Sequence, residues 1–380
     1  MAIHPPIGET RRMPPEKIGL RALNRAYLAR QLLVERSRMS VLDAVEHLVG
    51  LQAQAPKPPY FGLWSRVAGF RPDQLGDLLL DRSAVRIALM RGTVHLVSAR
   101  DCRWLRPLTQ VIYERTLPTA YGRQLAGADP AEIAAAGAAL LAERPRTAQE
   151  LGSELQRRWP EQERRVLSQV VRFLLPVVQL PPRGLWGHPG QPTYDTAERW
   201  TGEPLAADAS PERLVRRYLA AFGPASVRDV QVWSGLTRLN EVLERLRPEL
   251  RTFAAEDGRE LFDLPDAPRP DPGLPVPVRY IAEYDNLILS HADRTRVISE
   301  PYRRRIATRN GQVPGTFLVD GTVRGSWRTE VKRKRATLTV TPFERLPRSA
   351  ERELEAAGGE LLAFAAEEAA EHEVRFDAAG

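Results

Sequence analysis

The sequence predicts a mainly helical α+β protein of three similar units followed by a β region. Two observations carry that expectation. The order helix, turn, helix, hairpin recurs along the chain without detectable sequence repetition, and a proline-rich stretch, 266–277, then separates these units from strand-rich sequence. A hydrophobic content of 43% in 380 residues is ordinary for packed domains and excludes wholesale disorder. No apolar run approaches the roughly 18 residues needed to cross a bilayer.

The first 19 residues are broken by proline, carry no apolar signal segment and are expected to be disordered. Unit 1 spans 20–125. Ser40 and Asp43 form a capping box for a helix whose buried face is Val41, Val45, Leu48 and Val49, with Gln52 on the same stripe. VRIALMRGTVHLVSAR then reads as two strands around Arg91-Gly92. Unit 2, 126–207, opens at a second capping box, Thr147 and Glu150. It continues through ERRVLSQVVRFLL to a strand, a Gly/Pro-rich wing and a returning strand. Unit 3, 208–265, is the clearest: SVRDVQVWSGL, a Ser234-Gly235 turn, a helix capped by Thr237, and a hairpin around Asp257-Gly258. That order is the winged helix, so three tandem winged-helix units are expected. Residues 278–346 form a basic β region with a hairpin at Asp320-Gly321, and 347–380 an acidic helix and tail.

Charge narrows the partner. There are 55 Lys and Arg against 48 Asp and Glu, a net +7, and only Lys17, Lys57, Lys332 and Lys334 are lysine. So arginine-rich a composition reflects GC-rich codon usage as readily as DNA binding. Placement says more: between 300 and 345 there are eleven basic and four acidic residues, whereas the last thirty carry nine acidic and two basic. Arg303, Arg304, Arg305, Arg309, Lys332, Arg333, Lys334 and Arg335 are therefore the expected phosphate contacts. Arg183 and Trp186 in the wing are a second candidate contact, Trp186 being equally suited to packing.

Chemistry is sparse. There is no phosphate-cradling glycine loop, HExxH or GxSxG motif; one cysteine, Cys102, excludes a disulfide, and six scattered histidines give no metal pair. No cofactor and no metal are expected. Gln52-Ala53-Gln54 stands out because a glutamine on an apolar stripe is costly without partners. Either Gln52 caps a fraying helix, or the chain is extended before Pro56 and both amides converge to hold a water or a sugar oxygen. Arg91 and His95, four residues apart on a strand, share one face and are candidate supports.

LNRAYLARQLL, VGLQAQAP, RGTVHLVSARD, PPRGLWG and PGTFLVDGTVRGSW together resemble the tandem winged-helix DNA glycosylases of the AlkZ-like family, over about residues 20–345. The resemblance implies that Gln52 and Gln54 are the catalytic pair of a Gln-apolar-Gln motif; Ala53 is small for its middle position, and a related branch carries Asp where Gln54 stands. It further implies a cofactor-independent glycosylase that excises bulky or crosslinked N7-alkylguanine from double-stranded DNA, in repair or self-resistance to a DNA-alkylating natural product; with no lysine near the motif other than Lys57 to form a Schiff base, a monofunctional enzyme is expected. A cytoplasmic, nucleoid-associated bacterial monomer with no membrane attachment is expected. The alternatives are a non-catalytic winged-helix regulator and a protein that sequesters the free alkylating drug.

Overall fold

The computed structural model describes residues 15–125, 127–207, 209–308 and 311–379. Helices and three sheets alternate in the order the hydrophobic patterning requires, and the acidic C-terminal helix Arg348–Ala365 closes the molecule. Among the described residues no single helix is long and apolar enough to cross a membrane.

Units 1 and 2 are joined through one six-stranded sheet. Its order runs Leu51–Gln52, Val94–Ser98, Ala84–Ala88, Val177–Leu180, Thr193–Thr196, Arg146–Thr147. The seam is antiparallel, with Arg86 opposite Gln179 and Ile87 opposite Val178. The Thr147–Glu150 capping box forms as the sequence indicates, with Thr147 Oγ1 accepting from the Glu150 amide at 3.2 Å and Glu150 Oε2 accepting from the Thr147 amide at 2.7 Å.

Unit 3 holds helices Pro211–Phe222, Val227–Ser234 and Leu239–Leu246, then the hairpin Arg251–Ala255 and Glu260–Asp263. Two expectations change here. Glu16–Ile18, placed within the disordered N-terminus, is a strand lying parallel to Arg251–Ala255, so main-chain pairing orders the chain from there onward. Residues 1–14 lie outside the described residues. Thr237 does not cap the next helix: Arg238 occupies the cap position at φ 62°, and Gln231 Oε1 accepts from the Leu239 amide at 3.1 Å.

The first helix, Leu20–Arg30, binds unit 3 to the rest. Arg30 forms a fully buried bidentate pair with Asp263 at 2.6 and 2.8 Å and donates to Leu219 O. Removing one partner of such a pair costs about 3–5 kcal/mol, because the other charge stays buried. The proline-rich stretch is strapped to the same helix, as carbonyls of Pro268, Pro272 and Leu274 accept from Arg30, Arg21 and Arg25.

The C-terminal β region is a five-stranded sheet in the order Arg279–Ile281, Gly315–Val319, Thr322–Lys332, Arg335–Pro342, Glu371–Phe376. Its last strand comes from the acidic tail and pairs parallel, putting Glu371 beside Arg335. Arg303, Arg304 and Arg305 are not in this sheet; they close a short helix, Glu300–Ile306. The helix Arg348–Ala365 buries Leu354, Leu361 and Leu362 completely, and Phe364 packs on Trp64, Phe70 and Trp186.

Candidate active site

The Gln-Ala-Gln segment begins on a short strand, Leu51–Gln52, and runs into a bend at Gln54, which corrects its placement on a helical stripe. Ser40 caps the helix Val41–His47 by accepting from the Asp43 amide, and Val41, Val45, Leu48 and Val49 are all buried. The helix then stops. Val49 and Gly50 take positive φ (54° and 85°), and Gly50 N donates to Val45 O at 2.9 Å. A side chain at 50 would sit 2.6 Å from Val97 Cγ1 and 2.9 Å from Leu96 O, so glycine is what lets the turn lie against the strand Val94–Ser98. Leu51 then pairs with Leu96 and Gln52 with His95, and Ala53 N donates to Val94 O at 2.7 Å.

Strand alternation does the rest. Leu51 and Ala53 turn into the apolar core beside Val45, Tyr60 and Leu96, while Gln52 and Gln54 take the opposite face. Gln52 is 8% exposed and Gln54 is open to solvent. Each amide is held through its oxygen: Gln52 Oε1 accepts from Arg91 Nη2 at 2.8 Å, and Gln54 Oε1 from the Val94 amide at 3.2 Å. One lone pair on each oxygen and both NH₂ groups are left to meet a ligand. So tethered, the pair can aim a water but cannot exchange a proton near neutral pH.

Arg91 and His95 come together with the motif. Arg91 sits at φ 55° in the turn Met90–Gly92, and its Nη1 donates to Trp233 O at 2.6 Å, so unit 3 helps to set the Gln52 rotamer. Burial and the nearby Arg294 lower its pKa to about 10, which leaves it charged at neutral pH. His95 is fully buried opposite Gln52. Burial first, then the Arg91 charge, push its imidazole down to about 3. Nδ1 bonds the Thr93 carbonyl at 2.9 Å; a carbonyl only accepts, so Nδ1 carries the proton and Nε2 keeps a buried, unpartnered lone pair.

Residues outside the sequence-derived candidates also support this strand. Arg86 is 1% exposed and forms no ion pair with a carboxylate among the described residues; its Nη2 donates to Ala53 O at 2.9 Å and to Gln179 Oε1 at 3.3 Å. Burial, with Arg183 nearby, lowers its pKa to about 10. Gly184 clears room for it, since a Cβ there would lie 2.5 Å from Arg86 Cδ. Asn286 Nδ2 donates to Gly50 O at 3.1 Å, and the adjacent Asp285 makes a buried bidentate pair with Arg66 at 2.8 and 2.9 Å. The only signal in the sequence was charge inside apolar runs, as in AVRIAL, which does not reveal what the charge touches.

The proposed DNA contacts are dispersed. Arg303 and Arg304 both pair with Glu300, and Arg305 donates to Phe343 O at 2.7 Å. Lys332 pairs with Glu330 and Arg335 with Glu371, whereas Arg333 and Lys334, at φ 47° and 66° on the hairpin tip, form no ion pair with a carboxylate among the described residues. Arg309 lies outside the described residues. In the wing, Arg183 donates to Gly190 O at 2.6 Å, and Trp186 packs on Tyr60 and Phe61 with centroids 5.0 and 5.9 Å away. Cys102 is a buried thiol, pushed up to about 12 by desolvation.

Comparison with known proteins agrees with this architecture. The sequence profile of the DNA glycosylase AlkZ-like family matches residues 45–364. The interstrand DNA cross-link repair glycosylase of Streptomyces sahachiroi is 25% identical over 362 residues, covering 84% of this chain and 90% of that protein. The solved structure of Streptomyces sahachiroi DNA glycosylase AlkZ superposes with a TM-score of 0.77 at 21% identity, covering 95% of this chain and all of the other, and so shares its fold. A family-profile match across most of the chain settles the family: this protein belongs to the AlkZ-like DNA glycosylases.

Proposed function

We propose that the protein hydrolyses the N-glycosidic bond of N7-alkylguanine in double-stranded DNA, including bulky or crosslinked adducts, in crosslink repair or self-resistance. The observation that carries this reading is the tethering of both Gln52, at the end of its strand, and Gln54, in the bend beyond, by Arg91 and by the Val94 amide. An N7-alkylated guanine is cationic and leaves without a general acid. What remains is to place a water at C1′ and to accommodate an oxocarbenium-like sugar. Two fixed, uncharged amides meet that need, each offering NH₂ donors and one free lone pair to the water.

The reaction is monofunctional. Lys57 is the lysine nearest the motif in sequence, and it lies over the Trp186 ring at 6.0 Å; borohydride is therefore expected to trap no covalent protein–DNA species. The tandem winged-helix reading draws support from the element order of each unit and from the wing strands in the shared sheet. Phosphate contacts are assigned to the basic residues after 300, chiefly Arg333 and Lys334, with a cytoplasmic monomer as the working form. A non-catalytic regulator is disfavoured by the family match, and a drug-sequestering role by the same finding. The test is single-turnover excision from a duplex with one N7-methylguanine: Gln52→Ala and Gln54→Ala should each slow release about 100-fold. Parent-like rates in both variants would remove the assignment.

A further inference from the structure

A cleft of about 660 Å³ opens where the motif ends. Ala55, one peptide beyond Gln54, lies on its wall, so the cleft begins about 3.8 Å along the chain from that glutamine's Cα. Pro56, Phe61, Leu185 and Trp327 supply the apolar surface, drawn from unit 1, the unit 2 wing and the C-terminal sheet. The floor is rigid. Trp327 Nε1 donates to Ile281 O at 2.9 Å, its ring meets Phe61 edge-on at 5.4 Å, and Gly315 leaves the indole room that a Cβ, 2.6 Å from it, would remove.

Charge decides the kind of occupant. Lys57 and Arg328 share the cleft with Glu283, whose carboxyl is raised by desolvation and drawn back by Lys57. A wall with both signs on an apolar floor does not suit a run of phosphates. It suits a flat, largely neutral group, and the volume lies within the roughly 300–1,000 Å³ of sites for such ligands.

We propose that this cleft receives the aromatic appendage of a bulky N7-alkylguanine, so that affinity for the adduct is set beside, and apart from, the Gln52–Gln54 strand. The inference rests on the proposed glycosylase reading for its substrate, and its test is kept independent of catalysis. Duplexes carrying one N7-methylguanine or one N7-benzylguanine on a 2′-fluoro sugar, which resists cleavage because fluorine disfavours the oxocarbenium, are titrated with the full chain. Matching unfluorinated duplexes report excision. The parent should bind the benzyl duplex about tenfold more tightly than the methyl duplex, the order expected for burying one ring. Thr329→Trp, which fills the cleft from the sheet, and Pro189→Trp, which fills it from the wing, should each erase that preference; two variants on separate elements guard against one failing to fold. Equal parent affinities, or a preference that survives in both variants, would overturn the proposal. A preference without excision of either base would retain the cleft and remove the catalytic reading.

Discussion

The motif strand and the arginine-rich C-terminal region treat polar groups in opposite ways. At Leu51–Gln52 and its neighbours, buried groups have few partners and each is fixed: Arg91 on Gln52, Arg86 on Ala53 O, His95 with one nitrogen unpartnered. Beyond residue 300 the cations lie at the surface, and nearby carboxylates answer several of them: Glu300 meets two arginines, Glu330 a lysine, and Glu371 reaches Arg335 from the tail. Position within the fold, more than the number of charges, therefore separates a site that can do chemistry from a surface that can only adhere. A buried amide held on one rotamer has already lost its freedom, while an exposed ion pair contributes about 0–1 kcal/mol and exchanges readily for a phosphate.

The largest effect should come from the interior region. Gln52→Ala with Gln54→Ala should lower the single-turnover rate no further than the worse single variant, about 100-fold, if the two amides hold one water; additive losses would mean separate roles. Arg91→Met should follow at about tenfold, with DNA affinity near the parent value, because Gln52 stays in place but loses its rotamer. Arg91→Lys should recover part of that rate, and a variant that instead lowered affinity alone would mark Arg91 as a DNA contact.

His95 and His291 give the comparison a pH signature. Burial lowers both imidazoles to about 3, so in the folded state they stay neutral while the unfolded chain binds protons below about 6.5. Stability is thus unaffected above that pH and falls as pH drops through the window from 6.5 towards 3. The slope approaches about 1.4 kcal/mol per pH unit for each histidine. Denaturant titrations at pH 7, 6, 5 and 4 should show His95→Gln losing less than the parent by about that slope; parallel curves would mean that His95 is charged in the folded protein.

The smallest effects belong to the surface. Arg333→Glu with Lys334→Glu should weaken binding to any duplex several-fold and reduce the slope of log affinity against log salt by about 2, one contact each. Arg303→Glu with Arg304→Glu should change the slope less, because both arginines already share Glu300. Equal slopes for the two pairs would erase the distinction drawn from their carboxylates.

Local signals in the sequence located much of the fold. The capping residues Ser40 and Thr147, the turn dipeptides at Asp257-Gly258 and Asp320-Gly321, and the strands around Arg91-Gly92 all fall where short-range rules put them. The helical stripe was followed too far because periodicity alone does not stop at Gly50, although a glycine just past the last apolar turn is the ordinary helix terminator. Glu16–Ile18 escaped notice because a three-residue strand is specified by its partner 237 residues away and carries no pattern of its own. Thr237 looked like a cap because the rule is local, whereas Gln231 reached that position through the helix–helix turn.

By itself, then, the sequence determined the element order, the polar Gln52-Ala53-Gln54 segment and the asymmetry between a basic body and an acidic end. Those depend on residue type and on spacings of a few positions. Only the tertiary structure decided which face the glutamines share, that Arg91 and Arg86 hold the strand, and that Glu371 of the tail meets Arg335. The physical reason is distance along the chain. Arg91 and Gln52 are 39 residues apart and Arg91 reaches Trp233 across 142, so their meeting follows from how whole units bury their apolar faces, and no short window of sequence encodes it.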